Sequence, residues 1–134
     1  MTDHPAVTFL LAAHERAEQL ARDAGGDEWE RDPHPLCYAV KDSDGDPVVY
    51  DEGAPTGEQA SHIALHDPAS VLRRVEAERE VLAEHAKAKA DVDKALAAPD
   101  RVHPADAGIF LGRFNALASA VQGLAKAWGW EAGT

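Results

Sequence analysis

The sequence holds one cysteine, Cys37. A lone thiol excludes an internal disulfide framework and a multi-cysteine zinc module. Basic residues are also scarce, with 13 lysines and arginines against 24 aspartates and glutamates, for a net charge of −11. That balance argues against direct nucleic-acid binding, which calls for a basic face on the phosphate backbone. It argues equally against docking on an anionic membrane surface. No stretch long enough to span a bilayer is free of charge, so no spanning helix is expected. The opening Met1-Thr2-Asp3-His4-Pro5 lacks a basic segment followed by an apolar one, and a cytoplasmic location is expected. Glycine-rich phosphate loops, serine-centred elbows, solenoid repeats and low-complexity tails are missing as well.

What is abundant is alanine, with 27 of 134 residues, the residue that costs least to place in a helix. The reading is an α-dominated α+β fold of one domain, residues 1–134. Four helices are expected, at about 5–24, 57–66, 68–97 and 104–128, with a small β-hairpin at about 36–51. In the first helix Val7, Leu10, Leu11, His14, Ala17, Leu20, Ala21 and Ala24 follow helical spacing and define one face. Asp3 or His4 would cap it and Gly25-Gly26 would end it. The hairpin pairs Leu36–Lys41 with Pro47–Asp51 around an Asp-Gly turn. Trp29-Glu30-Arg31 could add a third strand. Thr56 and Gln59 fit a capping box for the second helix.

Asp67-Pro68 marks the start of the third helix, because the residue before proline is pushed out of the helical region. Asp67 is the expected cap, accepting from the backbone of Ala69 or Ser70. Along this helix Val71, Leu72, Val75, Leu82, Ala86, Val92 and Leu96 form a thin apolar stripe. Its charged run Arg73–Glu80 reads as a solvated face.

In the last helix Phe110, Phe114, Leu117, Val121, Leu124 and Trp128 alternate spacings of four and three, as in a coiled-coil seam. These six are the candidate interaction residues. They pair either with the third helix, as a helical hairpin, or with another chain. Gly108, Gly112, Ala116 and Ala120 form a ridge of small residues on a neighbouring face.

No catalytic or cofactor-binding residues can be assigned, and no cofactor is expected. His62 and His66, one helical turn apart, are the candidate metal ligands. The metalloprotease motif needs a glutamate directly after the first histidine, and Ile63 stands there. Asp42, Asp44 and Asp46 alternate as in a calcium loop, but the glycine and glutamate positions hold Pro47 and Gly53. Cys37 lies in a strand-like segment with no basic run beside it and reads as a structural thiol.

Residues 62–85, HIALHDPASVLRRVEAEREVLAEH, resemble the segment HIARHDPARVLREVEAKRRILAEH of a family of short uncharacterised proteins from actinobacteria and their phages. Phe9-Leu10-Leu11-Ala12 and Trp29 extend the resemblance over about residues 5–86, leaving 87–134 as a helical C-terminal extension. The resemblance implies a domain of unknown function and no activity. The function expected from the residues is that of an acidic, non-enzymatic accessory protein. It would act by homo-oligomerisation or through a protein partner, using helix 104–128. The alternatives are a metal-binding protein or enzyme centred on His62 and His66, an acidic nucleic-acid mimic of phage origin, and a membrane-surface helix at Ile109–Trp130, which the net charge opposes.

Overall fold

The computed structural model describes residues 3–50 and 55–133. Asp51, the expected end of the hairpin, lies outside them. The elements are helix α1 (Pro5–Asp23), strands β1 (Glu30–Arg31), β2 (Val40–Lys41) and β3 (Pro47–Val49), and helices α2 (Gly57–Leu65), α3 (Pro68–Ala97) and α4 (Pro104–Ala127). A single 3-10 turn, Pro99–Arg101, leads into α4. The α-dominated α+β reading therefore holds. By internal contacts the chain divides into two compact units, Met1–His14 with Glu76–Thr134, and Glu15–Val75.

The first unit contains the start of α1, the later part of α3 and all of α4. Its core is Ala6, Leu10, Leu82, Val121 and Ala125, with Trp128 and Trp130 among the half-buried groups packed on it. His4 caps α1: its Nδ1 accepts from the Ala6 N–H at 3.1 Å, relieving one of the donors that lack a helical partner. His103 does the same for α4, accepting from Ala105 at 3.2 Å. Helices α3 and α4 run antiparallel and pack on each other. The Trp128 indole meets Glu78, and further along the His85 ring meets Phe114 and Arg113 pairs with Glu84.

The second unit is built on a three-stranded antiparallel sheet in the order β1-β2-β3, with α2 packed on it. Glu30 pairs with Lys41 and Val40 with Val49, and a bulge falls between Val40 and Lys41. Trp29-Glu30-Arg31 does supply the third strand, through Glu30 and Arg31. The strands are shorter than the sequence suggested. Leu36 to Ala39 stays outside β2, because Pro33 and Pro35 remove ladder donors and the chain turns there instead. Cys37 N–H donates to the His34 carbonyl at 3.0 Å, and Leu36 points to solvent. The Asp-Gly turn forms as expected: Asp42 Oδ1 accepts from the backbone of Asp44 and Asp46, and Gly45 takes φ +83°, a region that favours glycine.

The stretch of α1 in this unit ends in a Schellman arrangement. Gly26 N–H reaches back to the Ala21 carbonyl at 2.9 Å and Gly25 N–H to that of Arg22. The expected apolar face of α1 is only partly inward. Leu10, His14 and Ala21 are buried, whereas Leu11 and Leu20 are exposed. The capping box of α2 is complete, with Gln59 N–H on Thr56 Oγ1 at 3.2 Å and Thr56 N–H on Gln59 Oε1 at 2.8 Å.

Candidate functional site

The expected seam of α4 faces inward. Val121 is buried, and Leu124 and Trp128 pack on the core around it. Phe114 meets the His85 ring at 5.3 Å between centroids. Phe110 and Leu117 are half-buried. The opposite face of α4 carries Ala105, Gly108, Ile109, Gly112, Ala116, Ser119, Ala120 and Gly123, all exposed. Ile109 is 64% exposed. A Cβ built on Gly108, Gly112 or Gly123 would meet nothing within 4 Å. Only Asp106, Arg113 and Lys126 are charged along the 24 residues of α4. A helix this apolar on all sides is normally covered on all sides.

Two buried carboxylates stand out, Asp67 just before α3 and Glu78 within it. Asp67 is where the sequence put it and does what was expected: Ser70 N–H donates to its Oδ1 at 2.7 Å. Its other oxygen takes the Trp29 N–H at 3.0 Å, and Ala69 N–H donates to the Asp27 carbonyl at 3.1 Å. Burial works against the charged form of Asp67, but the hydrogen bonds from Ser70 and Trp29 outweigh it and hold the pKa below the ordinary carboxylate value. Asp27 in turn is lowered by the backbone and hydroxyl of Ser43, which it binds at 3.0 and 2.8 Å. The most distinctive part of the 62–85 segment thus ties the Trp29 strand to the start of α3.

Glu78 is the residue the sequence reading missed. The charged run around it predicts a solvated face, yet Glu78 is 8% exposed. Its Oε2 accepts from His14 Nε2 and from the Trp128 indole N–H, each at 2.6 Å. His14 is fully buried and its ring stands edge-on to Trp128 at 5.7 Å. Because the carboxylate accepts, Nε2 carries the hydrogen, and Nδ1 is buried without a partner. A signal was present. Val75, Glu78, Leu82 and His85 follow 3-4-3 spacing, which puts Glu78 and His85 on the core side of α3. Ala86 and Leu96, read as core, are exposed. The Glu78 cluster joins α1, α3 and α4 within the first unit and reads chemically as a structural clamp.

His85 is 7% exposed. Burial first, and then the nearby Lys89, lower its pKa, so its imidazole is neutral at neutral pH, with one N–H donor and one acceptor nitrogen.

His62 and His66 do come together on α2, with ring centroids 4.6 Å apart, and both are exposed. Among the described residues no group of three or more histidine, cysteine, aspartate or glutamate side chains could hold a metal ion. Two imidazoles alone fall short of the three protein ligands of a typical zinc centre. Cys37 is half-buried. Among the described residues no helix is long and apolar enough to cross a membrane.

A family model of unknown function, DUF6221, matches residues 3–129. The chain belongs to that family. The DUF6221 match takes in both compact units and runs through α4. No curated protein and no solved structure matches the chain.

Proposed function

We propose that this DUF6221 protein is a non-enzymatic accessory protein of the cytoplasm that works by helix-mediated association, with a second copy of itself as the partner. The carrying observation is the outward face of α4, where a Cβ added at Gly108, Gly112 or Gly123 would meet nothing within 4 Å. Each glycine inside a helix costs about 0.5–1 kcal/mol relative to alanine. Three of them on one uncharged face are accounted for by a helix that approaches closely there.

The second copy is favoured by complementarity along α4. An antiparallel pair centred on Ala116 sets Ile109 against the partner's Gly123 and Asp106 near the partner's Lys126. The largest exposed side chain of the face then enters a gap, and a first-turn acid meets a last-turn base. Such a contact is isologous and closes as a dimer. The resemblance of residues 62–85 to actinobacterial and phage proteins fits a small accessory role of this kind.

Sedimentation or light scattering at high micromolar concentration tests the reading. A dimer is expected, and Gly112→Glu or Ala116→Glu should make it a monomer with an unchanged circular dichroism spectrum. A monomeric wild type would overturn the proposal.

A further inference from the structure

The chain has seven histidines, and most of them are already engaged by the fold. His4, His34 and His103 each spend Nδ1 on the backbone N–H two residues ahead, at 3.1, 3.2 and 3.2 Å. His14 spends Nε2 on Glu78, and His85 is buried against Phe114. His62 and His66 differ from all of these. Both are exposed, and neither ring forms a hydrogen bond or ion pair with another described residue. The two rings lie against each other instead, with centroids 4.6 Å apart and planes tilted by 56°.

The backbone beneath this pair is fixed at both ends. The capping box of Thr56 and Gln59 sets the start of α2, and α2 packs on the sheet with Ala60 buried. His66 ends the helix, its N–H on the carbonyls of His62 and Ile63. The next residue is Asp67, held by the N–H groups of Trp29 and Ser70. Side chains four apart on a helix are neighbours, so the two imidazoles are presented together with little backbone freedom to lose. Once one nitrogen holds a metal ion, the second bond is intramolecular, which makes the pair stronger than either ring alone. The local charge also favours a cation. Helix α2 holds no lysine or arginine, and Glu58 stands one turn before His62 on the same face. The pair sits at the negative end of the helix.

We propose that His62 and His66 chelate a late first-row divalent cation, each through one ring nitrogen, with water in the remaining positions. Each imidazole binds as the neutral base, through the nitrogen that lacks a proton, and keeps its N–H on the other. Two imidazoles are too few for a zinc centre. They suit the tetragonal nitrogen and oxygen set of copper(II) or nickel(II), and copper(II) stands above both nickel(II) and zinc(II) in affinity for such ligands. Copper(II) is therefore the strongest expected occupant. The open positions make this a site of exchange, and a bound ion braces the end of α2 next to the Asp67 cap. The site lies in the unit Glu15–Val75, and the association proposed for α4 neither requires nor excludes it.

Copper(II) is the probe, titrated into the isotopically labelled full-length chain without an affinity tag and followed by nuclear magnetic resonance. Its unpaired electron broadens nearby signals, so saturable broadening is expected first around His62 and His66. Zinc(II), which broadens nothing, should shift the same residues and bind more weakly. His62→Ala and His66→Ala remove exposed side chains, so both should keep the circular dichroism spectrum of the wild type. Each should weaken copper(II) by at least about tenfold, the loss of one arm of a chelate. His66→Ala combined with Ala64→His keeps the number of histidines but sets them two apart, where helical side chains do not face each other. It should bind no better than His66→Ala. The two alanine variants carry the test on their own if Ala64→His disturbs α2. The proposal is overturned if copper(II) has no saturable effect at α2, if the broadening centres on His34 or His103, if either alanine variant binds as tightly as wild type, or if the relocated histidine restores binding.

Discussion

The two compact units hold their buried acids in opposite ways. In Glu15–Val75 the buried carboxylate, Asp67, is satisfied by backbone N–H groups of Trp29 and Ser70. In the unit of Met1–His14 and Glu76–Thr134 the buried carboxylate, Glu78, is satisfied by side chains, the ring of His14 and the indole of Trp128. Backbone donors are supplied by almost any sequence that takes the local conformation, so the Asp67 knot tolerates change at its partners. The Glu78 clamp depends on two particular side chains that lie 64 and 50 positions away. Removing either acid strands its donors, but the stranded groups differ: a helix end that water can reach in one case, an enclosed imidazole and indole in the other.

The sharpest way to break this contrast is Glu78→Ala. Removing one member of a buried hydrogen-bonded set typically costs about 3–5 kcal/mol. Here it removes the acceptor that the His14 ring and the Trp128 indole share. Urea melts followed by circular dichroism should place the loss near the lower end, about 3 kcal/mol. Glu78→Gln keeps an acceptor oxygen and should lose less. Trp128→Phe removes the indole N–H alone, and the double variant should show clear non-additivity with Glu78→Ala, as residues in one network do. A loss under about 0.5 kcal/mol, the range of ordinary surface substitutions, would mean the clamp is not a clamp.

The Asp67 knot should be the weaker of the two. From the cap alone, Asp67→Ala is worth about 1 kcal/mol. The second accepted N–H, from Trp29, raises the expectation to about 2 kcal/mol. Asp67→Asn keeps an acceptor and should cost less. The pH dependence has a definite sign. The folded-state pKa of Asp67 is lowered, so its contribution is fully present above the unfolded value of about 3.9. It is lost as pH falls through the depressed folded value. The stability gap between wild type and Asp67→Asn should therefore close on acidification below about pH 5. A gap that stays constant to the acid limit would show that the charge of Asp67 contributes nothing.

The same contrast explains what the sequence made legible. Helix ends are local, and the capping box at Thr56 and Gln59, the cap at Asp67 and the glycine stop after α1 were all readable from neighbouring residues. The α4 seam was readable because its period is regular over almost the whole helix. Its direction was not: spacing states that Phe114, Val121 and Trp128 share a face, and only the fold shows that this face meets α1 and α3. Glu78 was obscured by its neighbours. Arg73, Arg74, Glu76, Arg79 and Glu80 surround it in sequence, and a charge among charges looks solvated unless the heptad position is weighed above the residue type. Leu36 is obscured for a different reason: Pro33 and Pro35 mark a break before the strand, but spacing does not show that the break extends through Leu36 to Ala39. The clustering of His85 and Lys89 under the start of α1 joins segments more than 80 residues apart, and no local pattern announces it.

The smallest expected effect sets a glycine of one unit against a glycine of the other. Gly112 in α4 and Gly45 in the β2–β3 turn both look onto open space, with nothing within 4 Å of an added Cβ. Only Gly45 has a positive φ, +83°. Gly45→Ala should destabilise by about 1 kcal/mol, because an L side chain is strained in the left-handed region. Gly112→Ala should do the reverse, stabilising an exposed helical position by about 0.5–1 kcal/mol. That gain is also where the proposed association can be read. In a monomer the added methyl is harmless, and the gain is the same at every protein concentration. In a dimer packed through this face the methyl separates the two helices. The gain should then be seen in dilute melts and shrink or reverse in concentrated ones, since association stabilises the folded state by mass action. Melting temperatures of wild type and Gly112→Ala across a hundredfold range of concentration decide the matter. Parallel curves would leave α4 an uncovered helix with three costly glycines, and crossing curves would mark the face on which the second copy sits.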